Sequence, residues 1–397
     1  MPSFRLEPGE RVEFGSFVDC NMAEAWVGDR LRIFPGKYGE DPVWGAADEL
    51  VYADGANADE AFGARTFTRP RMPANAAPGT PGLHGAVWFE TVYQHPEDRS
   101  GRTLSAIYHN ENYPSTLPWN AATGEGYRAD AWPPGLQGDS SVQAVPRIGV
   151  MRSTDGGESW ADLGIILEDA DERMIRLPQN RNNTFPGGVG DPSAVASGDH
   201  LYVFFGEYSY PGTYDLATHH EAVEADGQCI SVARIALADL AAPAGRARRW
   251  DGQAFAAPGD GIGRPIRSLQ IPSYDGGGAV SAGDRRFYWG PSVSWNEYLE
   301  CWVMLMARVD AGFWVGGSVH ISFNPHRDLG AHSQAWSVPE LLLDRPGHTL
   351  WYPSLQPLAT VEDVDARRTS LRLGQRARLF VKDGDDYGSE HVISFER

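Results

Sequence analysis

Four carboxylates stand at the ends of short apolar runs in this sequence: Asp19, Glu111, Asp191 and Glu207. Two carboxyls facing one pocket can divide labour, one kept protonated to donate a proton and one ionised to activate water or to attack. Residues that bind and orient polar groups stand nearby. His109 and Asn110 immediately precede Glu111, while His84, Arg308 and Lys382 flank other apolar runs. Trp289 and Tyr352 offer flat faces for stacking. An aspartate before a strand often only caps local amides, and a tryptophan is as readily core as binding surface. The elements that carry these residues must decide.

The stretch from Gly188 to Tyr208 predicts a β-hairpin, with strands at Ser193 to Ala196 and Leu201 to Phe205 around a turn at Ser197-Gly198-Asp199. A hairpin returns to the edge it left, so Asp191 and Glu207 are expected to face one pocket. The pattern recurs four times. One copy runs from Asp19 through Gly28-Asp29 to Phe34, and another from His84 through Ser100-Gly101 to Glu111. A third runs from Trp289 through Asn296-Glu297 to Arg308, and the last pairs Leu350 to Leu358 with Ala377 to Lys382. Five hairpin-led units predict an all-β, five-bladed β-propeller, with residues 1–397 forming a single domain. Phe4, Leu6, Val12 and Phe14 alternate, and His391 to Phe395 ends the chain as a second isolated strand; their pairing would close the ring and remove an edge. The segment from Pro114 to Pro146, with Trp119, Tyr127 and Trp132, leaves the second hairpin beside Glu111 and is expected to wall the pocket.

Composition narrows the partners. With 34 basic against 53 acidic residues the chain carries a formal charge of −19, which argues against a phosphate-binding surface and so against nucleic acid. Cys20, Cys229 and Cys301 lack metal-ligand spacing and cannot all pair with one another, so buried thiols are expected and no metal site is assigned. The adjacent His219 and His220 would point in opposite directions on an extended strand, which disfavours a metal pair. No run approaches the ~18 apolar residues of a membrane span. The N-terminal residues show no leader pattern, which reads as cytoplasmic, or as secreted if a leader was removed.

Asp19, Asp191-Pro192, Gly290-Pro291 and Tyr352-Pro353, each heading a hairpin unit, together resemble the five-bladed propeller glycoside hydrolases, the group of arabinanases, xylosidases and fructan-cleaving enzymes. The resemblance covers nearly the whole chain. Ser153 to Trp160 also matches the Asp-box pattern Ser-x-Asp-x-Gly-x-Ser/Thr-Trp of sialidase-type repeats, a turn-forming motif. The resemblance implies an oligosaccharide or glycoside substrate and three acids at the narrow end of a funnel: Asp19 as base or nucleophile, Asp191 as the assisting aspartate, and a glutamic acid. Relatives take the acid from a Glu-Gly-Pro triplet, whereas this chain has Trp289-Gly290-Pro291. The donor must come from elsewhere, and Glu111 is favoured over Glu207 because His109 and Asn110 adjoin it. No cofactor is required, although a divalent cation such as calcium is a candidate for the central channel; the chain has no dedicated calcium loop. Three other readings compete. They are a sialidase-like hydrolase, prompted by the Asp box and Arg32 to Pro35; glycoside phosphorolysis at a basic pocket of His109, Arg308 and Lys382; and a non-catalytic carbohydrate-binding propeller.

Overall fold

The computed structural model describes residues 2–39, 47–76, 82–83, 85–112, 145–168, 188–208, 229–261, 263–271, 286–310, 314–358 and 372–397. Among them the strands form five sheets, the blades of a β-propeller. Blade 1 is Glu24–Val27, Arg30–Ile33 and Ala53–Gly55. Blade 2 runs outward from Ala86–Gln94 through Leu104–Asn112 and Val145–Ser153 to Ala161–Leu167. Blade 3 starts with Val189–Ser197 and His200–Glu207, blade 4 with Phe287–Asn296 and Cys301–Val309, and blade 5 with Leu350–Pro357 and Arg376–Asp383.

Side-chain alternation explains how the blades stack. Successive residues of a strand point to opposite faces, so each blade offers one apolar face to each neighbour. In blade 3, Leu201, Val203 and Phe205 join the core shared with blade 2, while Tyr202 and Phe204 join the core shared with blade 4. Equivalent cores lie between blades 4 and 5, 1 and 2, and 5 and 1. The ring closes through its ends as the sequence predicts: Ser3–Glu13 pairs antiparallel with Asp386–Glu396 in blade 5, from Ser3 opposite Glu396 to Glu13 opposite Gly388. No described helix is long and apolar enough to cross a membrane.

The turn from Ser153 to Trp160 joins the two outer strands of blade 2. Asp155 Oδ1 accepts from Ser153 Oγ at 2.8 Å and from the Ser159 amide at 2.9 Å, and Ser153 Oγ accepts from the Gly157 amide at 2.8 Å. Trp160 turns beneath it onto Phe89 and Phe34, with ring centroids 4.7 and 5.6 Å away. This motif seals the contact between blades 1 and 2. Asp155→Ala is expected to lower stability by about 1–3 kcal/mol, since several donors lose their acceptor. Urea unfolding checks the loss.

One shared irregularity bears on the site. The inner strands of blades 2 to 5 each carry a β-bulge near their start, at Glu90, Asp191-Pro192, Gly290-Pro291 and Tyr352-Pro353. Asp191 and Tyr352 take φ values of +48° and +47° there. Such values are costly for residues with a Cβ and are found where surrounding structure enforces them, often at functional sites. A hydroxyl residue follows each bulge. Thr91 Oγ1 accepts from the Ala194 amide of blade 3, and Ser193 Oγ accepts from the Val293 amide of blade 4, both at 3.0 Å. These bonds lock successive bulges at one level of the channel.

Candidate active site

The bulges bring together residues distant in sequence. Asn21, just before blade 1, reaches across the channel. Its Nδ2 donates to the carbonyls of Pro291 at 3.1 Å and Pro192 at 3.3 Å, and its amide donates to Glu90 Oε2 at 2.8 Å. Blades 2, 3 and 4 are thereby tied to the start of blade 1 by one side chain and its backbone.

Asp191 lies at the centre, 2% exposed. Tyr208 donates its phenol to Asp191 Oδ2, and Tyr352 donates to Oδ1 at 3.0 Å. Burial pushes both phenols well up, and the Asp191 charge adds to it, so both stay protonated as donors. The Asp191 amide donates to His109 Nδ1 at 2.9 Å. That bond leaves the neutral ring with its proton on Nε2. Burial holds the His109 pKa below its ordinary value against the pull of Asp191 and Asp19. The 3.7 Å approach of Nδ1 to Asp191 Oδ1 is therefore not an ion pair. His109 Nε2 lies 3.9 Å from Glu111 Oε1, just beyond direct hydrogen-bond reach.

Glu90, on the blade 2 bulge, was not among the residues singled out from sequence. It is 2% exposed, and burial, with the Asp191 charge second, raises its carboxyl well above the usual range. Glu90, His109 and Asp191 place ligand atoms within 4.8 Å of one another. These atoms already hold hydrogen bonds: Asp191 from two phenols, Glu90 from Asn21, and His109 Nδ1 from the Asp191 amide. Calcium takes six to eight oxygens, so three protein atoms including a nitrogen form a poor cage for it. The buried Asn21 Oδ1, without a donor among the described residues, would add one oxygen. The set fits a divalent ion only if most of its ligands are water.

The carboxylates divide by exposure. Asp19 and Glu111 keep 29% and 19% of their side chains accessible, while Glu90 and Asp191 are sealed beneath. Asp19 receives Lys382 Nζ on Oδ1 at 2.6 Å, and the ammonium sits 4.9 Å from the centre of the Trp351 ring and 5.3 Å from that of Phe17. Trp289, 3% exposed, packs against Trp314, Trp351 and Tyr352, forming an aromatic wall between blades 4 and 5.

Several predicted residues stand elsewhere. Glu207 does not face Asp191 in a common pocket. It lies opposite Val189 in the hairpin, on the face toward blade 2, and accepts from Arg249 Nη1 at 3.1 Å. The bulge at Asp191-Pro192 is the cause: one extra residue takes Asp191 out of the alternation that places Val189 and Glu207 on one face. Asn110 does not orient Glu111 either. Alternation sends it to the opposite face, where Nδ2 donates to the Ala86 carbonyl at 3.0 Å and Oδ1 accepts from Arg147 Nη2 at 2.9 Å. Arg308 lies opposite Tyr288, on the side of blade 4 facing blade 3, and pairs with Asp310 at 2.9 Å. With Lys382 held by Asp19, the predicted basic pocket of His109, Arg308 and Lys382 does not form. His84, the segment with Trp119, Tyr127 and Trp132, and the pair His219 and His220 lie outside the described residues.

No protein-family model and no curated protein matches the chain. Solved structures similar to it include an α-L-arabinanase of Penicillium chrysogenum complexed with arabinobiose, at 11% identity and TM-score 0.45, covering 96% of this chain and 83% of that one. The catalytic domain of a GH62 α-L-arabinofuranosidase from Coprinopsis cinerea shows 10% identity and TM-score 0.45, covering 99% and 97%. The native arabinanase of Bacillus subtilis shows 10% identity and TM-score 0.44, covering 96% and 95%.

Proposed function

We propose that this protein is a glycoside hydrolase acting on an oligosaccharide or glycoside, with Asp19 as base or nucleophile and Glu111 as proton donor. The observation that carries the reading is the split among the clustered carboxylates. Two are reachable from solvent, and two are sealed beneath them in a hydrogen-bonded layer. Glycosidic cleavage needs a pair at the surface of a pocket, one donating to the leaving oxygen and one acting on the anomeric carbon directly or through water. Crowded acids favour keeping one carboxyl of such a group protonated, an effect already felt at Glu90.

The remaining residues take supporting roles. Lys382 fixes the Asp19 carboxylate by an ion pair inside an aromatic box. His109, held by the Asp191 amide, presents Nε2–H toward Glu111 and limits where that side chain can swing. The rings of Trp351 and Tyr352 border the Asp19 and Asp191 carboxylates and offer a surface for a sugar face. Phosphate is not expected to replace water as the acceptor, since Lys382 and Arg308 are each paired with an aspartate.

The test is hydrolysis of a panel of aryl furanosides and pyranosides by the wild type, with and without phosphate. Cleavage of at least one glycoside at a phosphate-independent rate is expected. Saturable sugar binding with no cleavage anywhere in the panel would favour the non-catalytic propeller instead.

A further inference from the structure

At the other end of the same inner strands lies a cavity of about 210 Å³. Its walls come from Thr91 to Gln94 of blade 2, Ala194 to Gly198 of blade 3, and Trp295 and Trp302 of blade 4, closed by Arg327 and Arg372. The acid cluster occupies the bulges near the strand starts; this cavity occupies the strand ends, where the chain turns back. Among the described residues no carboxylate is part of this lining, although Glu297 lies just behind it, accepting from Trp295 Nε1 at 3.0 Å. In a chain with a formal charge of −19, a concavity whose rim carries an exposed arginine with no described acid against it favours an anion.

The two arginines differ. Arg372 is paired with Glu297. Arg327 makes no ion pair with any described carboxylate, and its guanidinium carbon lies 5.5 Å from the centre of the Trp295 ring. Its backbone is anchored: the Arg327 carbonyl accepts from Ser197 Oγ at 3.1 Å and from Trp302 Nε1 at 3.3 Å. Tyr93, 7% exposed, also lines the cavity, and its hydroxyl has no hydrogen-bond partner among the described residues. Burial, with Glu97 second, raises that hydroxyl to about 12, so it remains a donor. Gln94 spends its carbonyl oxygen on the Trp26 amide at 3.2 Å, which leaves its amide nitrogen to donate. A cation over an indole, a phenol and an amide side chain thus line a space walled by two indoles. A small carboxylate would take a charged bond from Arg327 and a neutral one from Tyr93, with an apolar or ring-shaped body against Trp295 and Trp302.

We propose that this cavity is a binding site for a small organic carboxylate, separate from the acid cluster and independent of the reaction assigned there. Two sources share that chemistry, a carboxylated sugar and a simple carboxylic acid, and the probes separate them. The experiment is calorimetric titration of the full chain with glucuronate, acetate and glucose at constant ionic strength, using the wild type, Arg327→Gln and Asp19→Asn. Arg327→Gln keeps the backbone carbonyl that anchors Ser197 and Trp302, so the fold survives, which an unchanged melting temperature verifies.

Saturable binding of glucuronate is expected, weakened about ten-fold or more in Arg327→Gln, the usual loss for a charged hydrogen bond. It should be retained in Asp19→Asn. Acetate binding as tightly as glucuronate would assign the site to simple carboxylates, and glucuronate alone would assign it to carboxylated sugars. Failure of both carboxylates to bind would overturn the proposal. So would binding that Arg327→Gln leaves unchanged, or glucose binding equal to that of glucuronate.

Discussion

Asp19→Asn is expected to lower kcat by about 1,000-fold or more, the scale of losing a positioned base or nucleophile. The substitution has a second consequence, because Lys382 is only 4% exposed at its side chain and loses its counter-charge. An unpaired buried ammonium destabilises a fold, although the rings of Trp351 and Phe17 offset part of that cost here. The double variant Asp19→Asn with Lys382→Met separates the two effects. Its melting temperature should recover toward that of the wild type, and its rate should not. Recovery of rate with stability would mean that Asp19 matters only as a partner for Lys382.

Arg249→Met is expected to cost about 3–5 kcal/mol of stability, because it removes the guanidinium that pairs with a buried carboxylate. Glu207 and Arg249 are each 1% exposed, and their 3.1 Å ion pair spans the second and fourth strands of blade 3. Combining it with Glu207→Gln should restore part of the loss, since the buried carboxylate that faced Arg249 is then neutral. Glu207→Gln alone should lower the urea midpoint while leaving kcat per folded molecule unchanged. A large loss of kcat at full stability would return Glu207 to the catalytic set and contradict its placement away from Asp191.

Those two carboxylates show where sequence reasoning reached and where it stopped. The hairpins were legible because period-2 alternation and turn residues such as Gly198-Asp199 are local signals. Ring closure was legible because the alternating strands at the two termini had no nearer partner. The separation of Glu207 from Asp191 was not legible, since a single bulge residue decides which face Asp191 joins, and Asp191-Pro192 gives no direct sign of the register shift. Glu90 was hidden for a related reason. Its strand is buried along its whole length, so Glu90 sits within an apolar run and shows no alternation. One sign was present: Glu90-Thr91 stands where Pro192-Ser193, Pro291-Ser292 and Pro353-Ser354 stand in the other blades. The hydroxyl after each bulge marks the level of the channel where the acids gather. Asp191 was found through its proline; Glu90 lacks one.

Glu111 as proton donor is the central claim, and leaving-group dependence tests it most directly. Glu111→Ala would be assayed on two glycosides of one sugar, a dinitrophenyl glycoside that departs without protonation and an alkyl glycoside that needs it. The rate on the alkyl glycoside should fall by about 1,000-fold, within the usual range for general acid catalysis, with the dinitrophenyl rate nearly unchanged. An equal loss on both substrates, or no loss on either, would contradict the assignment.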